Sequence, residues 1–304
     1  MTAKIKSFNE LSKDLKENLY NLILQCDKSY TKTFDEMTDF FESDVFKFGN
    51  QILTIVDDRN IVAVIGVITK EIRNCGVGYI TETYFNFGII ENCEKQFEVL
   101  LKKAIDICRK EMAIEISLGI KSDIFEIEKF FVRYGFIKKY DAIVMKYNVI
   151  KKLKYIKNSN IILKKLELKN LDVFVELYNK SFKKSINAAT ITKDDAREFL
   201  EIYKENEKLL GIIYEKNIPI GIYMLAEVDN IGWIDNIGIL EEYRGRGIGR
   251  QVLYKFIDGF IAKDILTMRL LVMSSNNGAF ELYKDIGFEE DYIFSKWYVK
   301  NMKL

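Results

Sequence analysis

The stretch from Tyr243 to Val252 reads Tyr-Arg-Gly-Arg-Gly-Ile-Gly-Arg-Gln-Val, following an apolar run and opening an amphipathic one. Glycines at 245, 247 and 249 let backbone amides approach an anion, and the first N–H groups of a helix starting there have no carbonyl partner of their own. The chemistry this suits is cradling a phosphate or pyrophosphate, with Arg244, Arg246 and Arg250 supplying charge. The plainer alternative is three surface arginines on a turn. A Walker loop would require Gly-Lys-Ser/Thr, which is absent. A Rossmann fingerprint would space its last two glycines further apart and place an acid at a strand end about twenty residues on.

The chain of 304 residues contains no histidine, which removes Ser-His-Asp and Cys-His catalysis and His-ligated zinc hydrolysis. Proton transfer then falls to Asp, Glu, Tyr, Lys, Cys or water. No acidic cluster suggests a carboxylate metal site, so no metal is expected. Cys26, Cys75, Cys93 and Cys108 show no Cys-x-x-Cys spacing and read as four unrelated core thiols. With 46 basic against 45 acidic residues, no global field recruits nucleic acid or an anionic membrane, so neither is an expected partner. The opening Met-Thr-Ala-Lys-Ile-Lys-Ser-Phe lacks a signal-peptide core, and the apolar run Ile61 to Ile68 falls short of the ~20 residues that span a bilayer. A cytoplasmic protein is expected.

The elements that must position the glycine turn occur twice. Phe131-Val132-Arg133-Tyr134-Gly135-Phe136 resembles Tyr283-Lys284-Asp285-Ile286-Gly287-Phe288, each a helix end, a Gly-Phe turn and a strand. Ahead of these lie a strand, a long helix, a strand and a shorter helix: 77–87, 92–112, 113–118 and 124–134 in one half, 232–240, 247–262, 267–273 and 276–286 in the other. The long helices carry core stripes, Phe97, Leu100, Leu101, Ala104, Ile105 and Cys108 in the first, Val252, Leu253, Phe256 and Phe260 in the second. Alternating strands and helices predict an α/β (α+β) fold, duplicated. The lysine-rich stretch Lys138 to Lys165 reads as the linker, dividing the chain into 1–150 and 151–304. Before its long helix the first half has only Gly88-Ile89-Ile90-Glu91-Asn92-Cys93-Glu94, whose acids would repel a phosphate.

These residues carry a family resemblance. From about Ile161 onward the chain resembles a GCN5-related N-acetyltransferase (GNAT) domain: Arg244, Gly247 and Gly249 match its Arg/Gln-x-x-Gly-x-Gly/Ala signature. Asn276, Ala279, Leu282, Tyr283, Gly287 and Phe288 match its Asn-x-x-Ala-x-x-Leu-Tyr…Gly-Phe. The resemblance implies two tandem GNAT folds, each a mixed, mostly antiparallel twisted sheet flanked by helices, with 1–150 a degenerate copy lacking the pyrophosphate loop and 151–304 the acetyltransferase domain. It implies acetyl-CoA as acyl donor, its pyrophosphate over the amides of Arg244, Gly245, Arg246, Gly247, Ile248, Gly249 and Arg250. The strand before the loop is expected to be splayed by a bulge; Gly238 fits either that bulge or a close backbone approach, with backbone contacts from Ile237, Gly238 and Ile239 to the thioester and pantetheine arm. Tyr283 is the implied partner of the leaving thiolate, with a core tyrosine as the plain alternative, and Asn276 the residue that caps its helix and bonds the pantetheine.

The implied reaction is direct attack by an amine of a small-molecule or peptide acceptor. A lysine-like amine is neutral in about one molecule in 2,500 at pH 7, an obstacle of roughly 4–5 kcal/mol. Asp235 is the acid nearest the thioester by strand position, either as general base or as a strand-end hydrogen-bonding group, with Glu227 or a water chain as substitutes. A reading of another class is an acyl-CoA-binding regulatory or scaffold protein without turnover.

Overall fold

The computed structural model describes residues 4–57, 60–85, 93–121, 128–149, 160–183, 185, 190–205 and 209–302. It has two compact units, residues 1–141 with 293–304 and residues 142–292.

In unit 1 the strands run β1 (Lys4–Ser7), β2 (Ile52–Asp57), β3 (Asn60–Ile68), β4 (Val77–Phe85), β5 (Glu115–Lys121), and then residues 295–301 of the chain's last strand. Only β4 and β5 pair parallel; the other pairs are antiparallel. Helices α1 (Lys13–Cys26), α2 (Phe34–Phe41), α3 (Ile72–Cys75), α4 (Cys93–Lys110) and α5 (Glu128–Arg133) accompany this sheet. Ser12 caps α1, and a reciprocal Thr33–Glu36 capping box starts α2. The α4 stripe from Phe97 to Cys108 is buried as its period requires.

Unit 2 repeats the plan. Its strands run β6 (Ile137–Asn148, of which 142–148 pair here), β11 (Thr267–Met273), β10 (Ile231–Ile239), β9 (Ile218–Val228), β8 (Leu209–Glu215) and β7 (Ile161–Lys165). Again one pair, β10 with β11, is parallel. Helices α6 (Leu171–Phe182) and α7 (Lys193–Glu205) cover one face, with Phe174, Leu177, Ile212, Ile222 and Met224 in its core. Helix α8 (Ile248–Ile261) and helix α9 (Asn277–Ile286) cover the other, over Tyr223, Leu225, Ile234, Phe256 and Leu270. Successive β9 residues therefore enter opposite cores, which is why that strand reads as a continuous apolar run without alternation.

The expected division at residue 150 differs from these units at both ends. Residues 142–148 of β6 pair with β11 inside unit 2, and residues 295–301 of β12 (Glu289–Asn301) pair with β5 inside unit 1. The later part of the strand that closes each half of the sequence belongs to the other half's unit. The reason lies in hydrogen-bond register, invisible to a periodicity argument because either strand presents the same alternation.

The expectation of four core thiols needs correction. Cys108 is buried, and burial pushes its thiol up to about 12. Cys26 is half-buried, and Cys75 is exposed, since the one-turn helix it ends lies on the surface. The side chain of Cys93 lies outside the described residues, as do positions 150–159 of the linker and 88–92 of the degenerate loop. Among the described residues no helix is long and apolar enough to cross a membrane.

Candidate functional site

Strands β10 and β11 run side by side only from Gly232 to Ile234, against Met268 to Leu270. Beyond that point they part. At the same place the register of β10 on β9 slips: Ile234 faces Leu225 and Asn236 faces Met224, leaving Asp235 as the extra residue of a β-bulge. The bulge thus lies at Asp235, while Gly238 stays in register opposite Ile222. Of the two readings of Gly238, the close approach is the one the structure has. A Cβ there would stand 2.9 Å from Ser181 Cβ and 3.0 Å from the Phe182 ring, both on α6.

Where the strands part, a cleft of about 610 Å³ opens between β10, α6, α8 and α9. Strand parity determines which backbone groups face it. Leu240 N–H donates to Ile220 C=O, so the hydrogen-bonded positions of β10 alternate back from Leu240 through Gly238 to Asn236. The N–H and C=O groups of Ile237 and Ile239 therefore point to the other edge, the one β11 has left. Both residues line the cleft.

The glycine turn closes the cleft's far end. Gly245 and Gly247 sit at φ +74° and +73°, a left-handed backbone that side chains disfavour, although a Cβ at either would meet only open space. Gly249 is a packing residue, its Cβ position 3.1 Å from Leu282. Gln251 N–H is the first amide of α8 with a helical acceptor, Gly247 C=O at 3.2 Å. The amides of Ile248, Gly249 and Arg250 precede it as the unpaired donors of a helix start.

The three arginines separate. Arg244 Nε donates to Ile239 C=O at 2.8 Å and its Nη2 to Ser181 C=O at 2.7 Å, so it ties the end of β10 to the end of α6. Arg250 lines the cleft while donating to Asp285 at 2.8 Å. Arg246 does not line it: it pairs with Glu215 at 2.9 Å and lies over the Tyr243 ring. Sequence spacing groups all three as phosphate charges, but two carbonyls take Arg244 and the Glu215 carboxylate takes Arg246.

Tyr283 is buried at the cleft wall from α9, and burial pushes its phenol up to about 12. Asn276 starts that helix, its Oδ1 accepting from Ala279 N–H at 3.4 Å, which leaves its Nδ2 for other partners. Asp235 is exposed on the bulge and is not among the cleft-lining residues. Glu227 is paired with Lys263 at 3.3 Å. Ser181, Phe182 and Ser185 line the cleft without having been anticipated. One signal was available, since Ser181 occupies a position in the buried stripe of α6 otherwise filled by Leu171, Phe174 and Leu177.

Residues 171–288 match the Acetyltransferase (GNAT) family. An uncharacterised N-acetyltransferase of Methanocaldococcus jannaschii is 29% identical over 140 residues, 42% of this chain and 60% of that protein. The [ribosomal protein bS18]-alanine N-acetyltransferase of Haemophilus influenzae is 35% identical over 97 residues, 32% of this chain and 66% of its own. The match thus spans less than two thirds of either relative. A GCN5-related N-acetyltransferase from Sphaerobacter thermophilus shares the fold at TM-score 0.70 and 14% identity, covering 99% of this chain and 96% of its own. A tandem GNAT protein from the clavulanic acid biosynthesis pathway does so at TM-score 0.63 and 8% identity, covering 99% and 98%.

Proposed function

We propose that the second unit, whose residues 171–288 match the Acetyltransferase (GNAT) family, transfers an acetyl group from acetyl-CoA to an amine by direct attack on the thioester. The observation that carries the reading is the cleft itself. One wall offers the backbone edge at Ile237 and the Ile239 N–H, the Ile239 C=O being held by Arg244; one end offers the unpaired amides of α8, and another wall the Tyr283 phenol. An extended, amide-bearing arm pairs with an open strand edge as an added strand would, and a pyrophosphate suits a helix start. The charge at the pyrophosphate comes mainly from amides and Arg250, with Arg244 holding the two walls in place.

Tyr283 stabilises the leaving thiolate by donating a hydrogen bond. Full proton transfer from a phenol near 12 to a thiol near 8.5 would run uphill by about 5 kcal/mol. On the acceptor side, a lysine-like amine costs roughly 4–5 kcal/mol to present neutral at pH 7, whereas an α-amine with pKa about 7.7–8.0 costs about 1 kcal/mol. The proposed acceptor is accordingly an amine of low pKa on a small molecule or peptide, with Asp235 or water receiving its proton.

Titration calorimetry with acetyl-CoA on the wild type and Gly247→Glu tests the donor site, since a carboxylate at the loop places like charge on the pyrophosphate. Equal affinity in the two proteins sinks the reading. Single-turnover assays with a panel of α-amines and lysine-like amines test transfer: acetylation of the former and not the latter is expected. Tight binding without transfer to any amine would favour the binding-only alternative.

A further inference from the structure

Ser181 lies on the buried stripe of α6 and is only 3% exposed, yet its Oγ makes no hydrogen bond to any described residue. A buried hydroxyl without a partner is unfavourable, and folding gives no reason for one here. Alanine would suit the helix better, and an apolar side chain would continue the stripe. The residue nevertheless lines the cleft, beside Gly238 and between the two backbone groups of β10 that face the same space. Its position is held from both sides. Arg244 binds its carbonyl at 2.7 Å, and the backbone of Gly238 leaves no room for a Cβ between the strand and the serine.

We propose that Ser181 is a ligand-binding residue, its hydroxyl hydrogen-bonding the amide-bearing arm of the acyl donor where that arm runs along Ile237 to Ile239. This rests on the acetyl-CoA reading above. The arm is assigned in preference to the phosphates because Ser181 stands over Gly238, in the middle of the open edge, whereas the phosphate amides belong to the turn that begins after Arg244. Rotation about χ1 turns Oγ from its covered position toward the cleft with no backbone movement. The serine then completes one hydrogen bond on ligand binding, which the unliganded protein lacks.

Ser181→Ala keeps the Cβ that packs on Gly238 and leaves the Arg244 contact to the backbone untouched. Two probes separate the ends of the donor: acetyl-CoA, and 3′-phosphoadenosine 5′-diphosphate, which has the phosphates and no arm. By calorimetry the variant is expected to bind acetyl-CoA about fivefold to tenfold more weakly, the effect of one net hydrogen bond, while its affinity for the nucleotide stays at the wild-type value. Its unliganded Tm is expected to hold or rise, because an orphaned hydroxyl has been removed. Unchanged acetyl-CoA affinity overturns the proposal. Parallel loss on both probes moves the contact to the phosphates and overturns it too, and a fall in unliganded Tm marks a structural serine. If the wild type itself binds neither probe, the fault lies in the acetyl-CoA reading, an outcome distinct from all three.

Discussion

At the residue scale, environment separates side chains that composition treats alike. Tyr283 is one of 17 tyrosines, but burial at the cleft wall pushes its phenol up to about 12. The sign follows: a raised phenol pKa favours the folded protein below pH ~10, and that contribution is lost as pH rises through 10 toward 12. Tyr283 therefore stays protonated wherever the protein is folded below that range, and for the proposed transfer its titration should leave no inflection in a kcat profile below pH 10. Tyr283→Phe should lower kcat by about 10- to 100-fold, the loss of a hydrogen bond to a charged group, with acetyl-CoA affinity within about twofold of wild type. Turnover equal to wild type would remove Tyr283 from the chemistry.

At the scale of elements, the cleft exists because two strands part, and glycine permits the pairing that remains. Gly221 of β9 sits opposite Ile239 of β10, where a Cβ would stand 2.1 Å from Gly238 C=O. Gly221→Ala should force β9 and β10 apart, costing about 1–3 kcal/mol and weakening acetyl-CoA binding with it. Gly259→Ala is the matched control: it lies within α8, meets nothing within 4 Å, and should stabilise the protein by about 0.5–1 kcal/mol. Chemical denaturation of both variants reads the two signs. If Gly221→Ala is as stable as wild type, the close packing of β9 on β10 does not hold the open edge in place.

At the scale of the whole molecule, each unit takes its closing strand from the far side of the expected boundary. Met145 and Tyr147 of β6 are buried in the core under α8, so a fragment 151–304 lacks part of that core and leaves β11 without its antiparallel partner, paired only over three residues with β10. A fragment 142–292 keeps all six strands. The shorter-starting fragment 151–304 should aggregate or melt without cooperativity, while 142–292 should unfold cooperatively and bind acetyl-CoA; circular dichroism and calorimetry on both decide, and a well-folded 151–304 would refute the assignment. Much of this protein was legible in its residues alone. Helical stripes, the glycine turn, the Asn276 to Tyr283 spacing and the repeated Gly-Phe endings are local patterns, and local backbone geometry and the burial of one helix face follow from them directly. What only the tertiary structure decided depends on partners distant in the chain. These are the register slip at Asp235, the turning away of Arg246 to Glu215, the capture of Arg244 by two carbonyls, the unpartnered hydroxyl of Ser181, and the unit to which each closing strand belongs. Hydrogen-bond pairing between strands and helices selects among arrangements that share one hydrophobic pattern, so the pattern proposes the elements and the pairing decides the site.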